Sequence, residues 1–257
     1  MKSSNDLNQH FRPEETLFIE RLQDMIRRVE DTYSIVLTEF FNPRQIQIAR
    51  SVIRHSGLSV YISSDYVSSE YARIILAPDY YQLDLTDFEI ELLEISYNSK
   101  FNQLTHAQIM GTLINHLGIK RTVFGDIRTR EGLAQIFVDR QLQSHFTSIG
   151  KIARASVNFK VLSWDQAFPI EKSGKEQDIL VSSMRLDKIV STVFKIQRSQ
   201  ALRLIEAEKV KVNYALVSRP SEMLRIGDLV SVRGYGRFSL EDDKGLSKQG
   251  KHKLIVF

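Results

Sequence analysis

The sequence predicts an α+β protein in three parts, and three observations carry that prediction. Residues 88–163 alternate strand-type and helix-type periods in the order β-α-β-β-α-β, the split-βαβ or ferredoxin-like arrangement. After residue 181, two short amphipathic helical stretches run into a series of short strands. The 257 residues are 42% hydrophobic and 26% charged, a globular composition with enough apolar material for a sizeable core. The predicted divisions are an N-terminal α/β part over 1–75, the split-βαβ domain over 76–165, a linker over 166–180 and a last domain over 181–257.

The N-terminal part opens with PEETLFIERLQDMIRRVEDTYS from Pro13. Acidic residues in the first turn suit a helix N-terminus. Phe18, Leu22, Met25, Ile26, Val29 and Tyr33 recur at helical spacing and mark one buried face. Asn42-Pro43 is a second helix start, with Ile46, Ala49 and Ile53 behind it and Gly57 as its stop. LSVYIS and RIILAP read as short strands.

In the middle part, FEIELLEISYN is strand-like. THAQIMGTLINHLG is a helix capped by Thr105 and stopped by Gly118. TVFGDIRT and GLAQIFV are strands joined through Arg130-Glu131-Gly132. A helix over 139–149 and the strand ARASVNFKVLSW complete the order. QAFPIEKSGKEQDI is polar, with one Pro and one Gly, and reads as the linker.

In the last part, Leu186, Ile189, Val190, Val193 and Phe194 mark the apolar stripe of one helix. Arg185, Lys188 and Lys195 lie on another face of it. Ala201, Leu204 and Ile205 mark a second helix. The strands VKVN, DLVSVRG, GRFSL and KLIVF follow.

Charge separates the parts. Residues 181–257 hold 15 Lys/Arg against 8 Asp/Glu, a net of +7, whereas 1–75, 76–165 and 166–180 each come to −1. A basic region on an otherwise balanced chain points to a polyanionic partner. The sequence has no cysteine, which excludes disulfides, thiolate metal sites and cysteine nucleophiles. No apolar run approaches the ~18 residues of a membrane span, and MKSSNDLNQHFRPEE has no signal-type apolar stretch. A cytoplasmic protein without membrane insertion is expected.

The basic region carries the strongest motif, RLDKIVSTVFKIQRSQALRLIEAEKVKVNYALVSRPSEMLRIGDLVSVRGYGRF. Arg198 and Ser199 open the second helix, where unpaired N–H groups and the helix dipole already favour a phosphate. Lys209 follows eleven positions later, in line with Arg198 if the helix persists, and Arg203 shares that polar sector. Lys211 alternates with Val210 and Val212 and so points away from the core. Arg233 and Arg237 flank Gly234 and Gly236 in a turn open to phosphate. A charge run alone more often marks a solvated face. Here the cations gather at one helix start and on adjacent strands, which favours a polyanion-binding surface, with nucleic acid and anionic membrane both fitting.

This stretch resembles the S4 domain, an RNA-binding module. Arg185-Leu186-Asp187, Arg198-Ser199, Ala201, Ile205, Val210-x-Val212-Asn213, Pro220 and Gly227-Asp228 carry the resemblance over about 70 residues. Three positions depart from the pattern: Gln197 stands for Ser, and Glu208 and Tyr214 each stand for Gly. The whole chain resembles the YlmH family, through NPRQ at 42–45, KFNQLTHAQIMGTLINHLGIKRTVFGDI at 100–127 and RGYGRF at 233–238. That resemblance implies cytoplasmic RNA binding, a link to the ribosome and a loosely defined link to septum formation. The large ribosomal subunit is an expected partner, with ribosomal or transfer RNA as the RNA. Ser63-Ser64-Asp65-Tyr66 and Ser69-Glu70-Tyr71 replace the family's Gly-Gly-Tyr turn and Ala-Glu-Arg.

The middle part shares its element order with the RNA recognition motif, but Leu133 and Gln135 stand where that motif places stacking rings. Lys120, Arg121, Arg128 and Arg130 offer a basic turn instead. RNA contact there is as well supported as a helix-end turn with a solvated strand end.

Enzymatic motifs are poor. There is no Walker loop, GxGxxG, HExxH or serine elbow. His106 and His116 lack a carboxylate at metal spacing. Asp126 is the best catalytic candidate, although a lone Gly-Asp usually marks a turn, and Asp187 reads as a structural partner for Arg or backbone.

The reading is a non-catalytic RNA-binding protein with no cofactor or metal. It captures structured RNA through Arg185, Lys188, Arg198, Ser199, Arg203, Lys209, Lys211, Arg233 and Arg237, with Lys120, Arg121, Arg128 and Arg130 as a second set. The alternatives are an RNA-modifying enzyme with its active site in 1–165 and a division-associated interaction or membrane-surface protein.

Overall fold

The computed structural model describes residues 13–54, 56–170 and 175–257, and they fall into two compact units divided after Ile170. The α+β class holds, as helices pack on three separate sheets.

In the first unit, helix α1 (Thr16–Thr32) buries Ile19, Leu22 and Val29. Tyr33 ends it in a left-handed conformation and is 72% exposed, so the expected buried stripe stops at Val29. Strand β1 (Val36–Leu37) precedes α2 (Pro43–Ile53). The start of α2 is a full capping box between Asn42 and Gln45, with Pro43 in the first turn. Strands β2 (Ser59–Ile62) and β3 (Ile74–Ala77) complete an antiparallel sheet of order β1-β3-β2.

Every residue of β3 is buried, because the strand is covered on both faces. Ile74 and Leu76 pack with α1 and α2, while Ile75 and Ala77 join Phe40, Phe88, Leu92, Phe137 and Leu162.

The middle elements are β4 (Ile90–Tyr97), α3 (His106–Gly111), β5 (Phe124–Arg130), β6 (Leu133–Asp139), α4 (Gln143–Thr147), β7 (Lys151–Ile152) and β8 (Ala155–Leu162). Thr105 and Gln108 cap α3 reciprocally, and the helix continues as a wider turn through His116. The sheet order is β5-β6-β4-β8-β7: the split-βαβ order expected from the sequence, widened by the short edge strand β7. Helices α3 and α4 cover one face, over Leu93, Ile95, Ile136 and Val138. Half of the other face, at Leu92, Phe137 and Leu162, is covered by the N-terminal sheet.

The second unit starts earlier than the linker reading expects. Strand β9 (Gln177–Val181) hydrogen-bonds along an edge of a six-stranded sheet, and its alternation buries Ile179 and Val181. Helices α5 (Leu186–Val193) and α6 (Arg198–Glu206) follow, then β10 (Val210–Val212), β11 (Ala215–Leu216), β12 (Leu229–Val232), β13 (Gly236–Leu246) and β14 (His252–Val256). The sheet order is β11-β10-β12-β13-β14-β9. Leu186, Ile189, Ala201 and Ile205 of the helices pack on Val210, Val212, Val230, Val232 and Phe238, so both helices lie on one side of the sheet. Among the described residues, no helix is long and apolar enough to cross a membrane.

Candidate nucleic-acid interface

The second unit builds its helix face around one carboxylate. Asp187, in the first turn of α5, has no exposed surface. Arg185 Nε donates to Asp187 Oδ1 at 3.0 Å and its Nη2 to Oδ2 at 3.3 Å. Arg198 Nε donates to the same Oδ2 at 2.8 Å, and its Nη2 lies 2.6 Å from it. Burial pushes the Asp187 carboxyl up, but the hydrogen bonds and charges of the two arginines outweigh it and hold the group below the usual carboxylate range.

The arginines are not consumed by this pairing. The Arg198 side chain stays 54% exposed and that of Arg185 34%. A buried anion therefore aims two guanidinium groups at the junction of two helix starts while their outer edges stay in water. Asp187 is the structural partner that the sequence suggested.

Around this pair, Ser199 and Arg203 are exposed on α6, whose N-cap Gln197 makes no side-chain capping bond. Lys188 is half-buried and its Nζ donates to Ser182 Oγ at 2.7 Å, so it braces the β9–α5 connection. Helix α6 ends at Glu206, so Lys209 is not in line with Arg198. Glu208 takes a left-handed turn (φ +54°) between helix and strand and redirects the chain.

Lys209 instead sits beside Arg233, whose backbone N–H donates to the Lys209 carbonyl at 2.9 Å. Lys211, Ser231 and Arg237 form one row across β10, β12 and β13. Their neighbours along the strands face the helices, so this row lies on the opposite surface of the sheet. The cations expected on one surface thus occupy two. The Arg233–Arg237 turn curls toward the helix side: Tyr235 accepts a hydrogen bond from Gln200 at 2.6 Å, and its ring packs 5.6 Å from that of Phe194 at a tilt of 54°. Sequence reading missed this tie, although Tyr235 between two glycines was its signal.

The second set of cations is placed differently, and the basic-turn reading needs correction. The Arg121 guanidinium carbon lies over Tyr71, 3.7 Å from the ring centroid, with the Phe124 centroid at 4.7 Å, and the group donates to the Phe124 carbonyl. Burial lowers its pKa. Arg128 donates to the carbonyls of Phe168 and Ser68 and lies 3.6 Å from Asp126. Burial lowers its pKa as well. Both are internal fasteners. Lys120 is exposed, and Arg130 stacks 4.2 Å from the ring centre of Phe168.

Asp126 is a fastener too. It sits at an irregularity of β5, and its carboxylate accepts the backbone N–H groups of Glu70 and Tyr71, each at 2.9 Å. That geometry uses both oxygens to hold the backbone at Glu70 and Tyr71. Gln135 is 1% exposed: its amide donates to the Gln166 carbonyl at 3.0 Å and accepts from Phe168 N–H at 2.7 Å. The face an RNA recognition motif would use is therefore roofed at this position.

Family models match in sequence. "YlmH, N-terminal" matches residues 14–81, "Putative RNA-binding domain in YlmH" 84–166, and "S4 domain" 184–230. The chain is 31% identical over 254 residues to ribosome-associated protein quality control protein P2 of Bacillus subtilis (strain 168), covering 97% of each chain. A solved structure described as cell division protein ylmH from Streptococcus pneumoniae is 41% identical, with a TM-score of 0.56, and the match covers 62% of this chain and 98% of that one. The order of the three models and the full-length likeness establish that the chain belongs to the YlmH family.

Proposed function

We propose that this protein is a non-catalytic, cytoplasmic RNA-binding protein that captures structured ribosomal or transfer RNA on the ribosome. The carrying observation is the Arg185–Asp187–Arg198 arrangement. Two guanidinium groups are fixed by one buried carboxylate beside an α6 start whose N-cap side chain makes no capping bond. Fixed forks meet phosphate oxygens with little loss of side-chain freedom, and first-turn N–H groups add donors to the same anion.

Ser199 and Arg203 are exposed further along the same helix α6. The +7 balance of residues 181–257 draws polyanions to this unit. The ribosome association is supported by the likeness to the Bacillus subtilis protein. Recognition is of backbone shape, since phosphate contacts position an RNA without reading its sequence.

The test is titration of the full chain with a structured RNA hairpin across a salt series, together with co-sedimentation with ribosomal subunits. Each neutralised phosphate is expected to contribute roughly 0.7–0.9 to the slope of log affinity against log salt. The RNA should be recovered with unchanged mass. A flat salt response, or a mass shift in the RNA, contradicts the proposal.

A further inference from the structure

Phe101 is a large ring held in water. It is 77% exposed, in a polar loop, SKFNQ, that follows β4. The exposure is built into the fold. The Asn98 side chain accepts the Lys100 N–H at 3.0 Å and shapes the turn. The Tyr97 hydroxyl accepts the Leu104 N–H at 3.2 Å, and the Tyr97 N–H donates to the Gly132 carbonyl at 3.1 Å. Leu104 is buried and anchors the far end. Gly132, at φ +73°, brings the β5–β6 turn against Ser99, so the loop and the hairpin tip form one surface.

The same loop and the hairpin tip line an open cleft of about 300 Å³, at Ser99, Asn102, Gln103, Glu131 and Gly132. It offers a hydroxyl, two amides and a carboxylate, with no apolar side chain. Lys100 Nζ lies 5.7 Å from the centre of the Phe101 ring.

We propose that residues 98–103 and the β5–β6 turn form a seat for one unpaired RNA nucleotide. Phe101 stacks the base, the cleft hydrogen-bonds its edge or sugar, and Lys100 meets a phosphate. Stacking suits any base, because every base has a π face. The amides and hydroxyl supply both donors and acceptors. A lipid surface fits less well, since a carboxylate and amides line the cleft where acyl chains would go. The seat takes its ligand class from the RNA-binding reading above. It lies outside the cation sets described there and away from the roofed sheet position at Gln135.

The experiment compares two probes on the full chain: a short unstructured oligouridylate and a structured RNA hairpin. Phe101→Ala is expected to weaken oligouridylate binding roughly tenfold. Phe101→Trp should keep that binding, and its added emission should be quenched by the oligonucleotide. Lys100→Ala should lower the salt slope for the same probe by about 0.7.

Arg198→Ala should show the reverse preference, losing hairpin binding while sparing the oligouridylate. The two readings therefore fail separately: hairpin binding indifferent to Arg198→Ala undermines the helix face alone. Oligouridylate binding unchanged in Phe101→Ala overturns the seat, as does a tryptophan emission in Phe101→Trp that the oligonucleotide leaves unquenched.

Discussion

Each unit pairs an aspartate with arginine, Asp187 with Arg185 and Arg198 and Asp126 with Arg128, and the two pairings serve opposite ends. Around Asp187, the carboxylate is wholly buried while Arg198 stays 54% exposed. Around Asp126, both partners are buried: the Asp126 and Arg128 side chains are each 10% exposed. Arg128 also donates through its two Nη groups to the carbonyls of Phe168 and Ser68, while its Nε is buried without a partner among the described residues, and the Asp126 oxygens go to backbone N–H groups. The first arrangement presents charge, and the second ties segments together. Where only the carboxylate is buried, the guanidinium keeps an outer edge open to another anion.

The comparison can be broken most forcefully at Asp126. Asp126→Ala strands two backbone N–H groups and removes the ionic partner of Arg128, and should destabilise the first unit by about 3 kcal/mol. Thermal melts would register it, while hairpin affinity measured below the melt should stay near wild type. A lost hairpin affinity with an unchanged melt would make Asp126 part of the RNA surface.

Arg198→Ala should act the other way, costing roughly 1–3 kcal/mol of RNA binding with a smaller change in the melt.

Acid sharpens the contrast. The folded-state pKa of Asp187 is depressed, so its contribution is present above the unfolded value of about 3.9 and is lost as pH falls through the folded one. The second unit should therefore lose stability below about pH 4, and Asp187→Asn should flatten that part of the pH profile. A profile unchanged by the substitution would remove the ionic account of Asp187.

A smaller effect is expected at Glu208, a non-glycine residue at φ +54°. Glu208→Gly should stabilise the unit by about 1 kcal/mol by relieving the left-handed strain. A differential melt would detect it, and no gain would mean that the turn is unstrained.

Much of this fold was legible. The β-α-β-β-α-β order followed from hydrophobic periods, and the caps at Asn42 and Thr105 from local chemistry. Strand β9 was hidden because it follows a polar stretch and gains order from β14, some seventy residues away. At the site, Arg185, Asp187 and Arg198 could be read because their spacing is part of a known motif.

The fate of Arg121 and Arg128 could not be read. Their partners, Tyr71, Ser68 and Phe168, meet them only through tertiary packing, and a basic run looks the same whether its charges reach water or a carbonyl. The separation of Lys211 and Arg237 from the helix face was half visible: alternation showed that they point away from the core, but not that the helices lie on the other side.

Under the proposed function, fixed guanidinium groups on the helix face capture RNA, and not the net charge of the unit. The direct measurement is hairpin binding by the full chain across a salt series for wild type, Arg198→Ala and Lys248→Ala, each of which removes one positive charge. A several-fold or greater loss is expected with Arg198→Ala, and close to none with Lys248→Ala, whose exposed charge is largely screened. Equal losses from the two substitutions would contradict the proposed function.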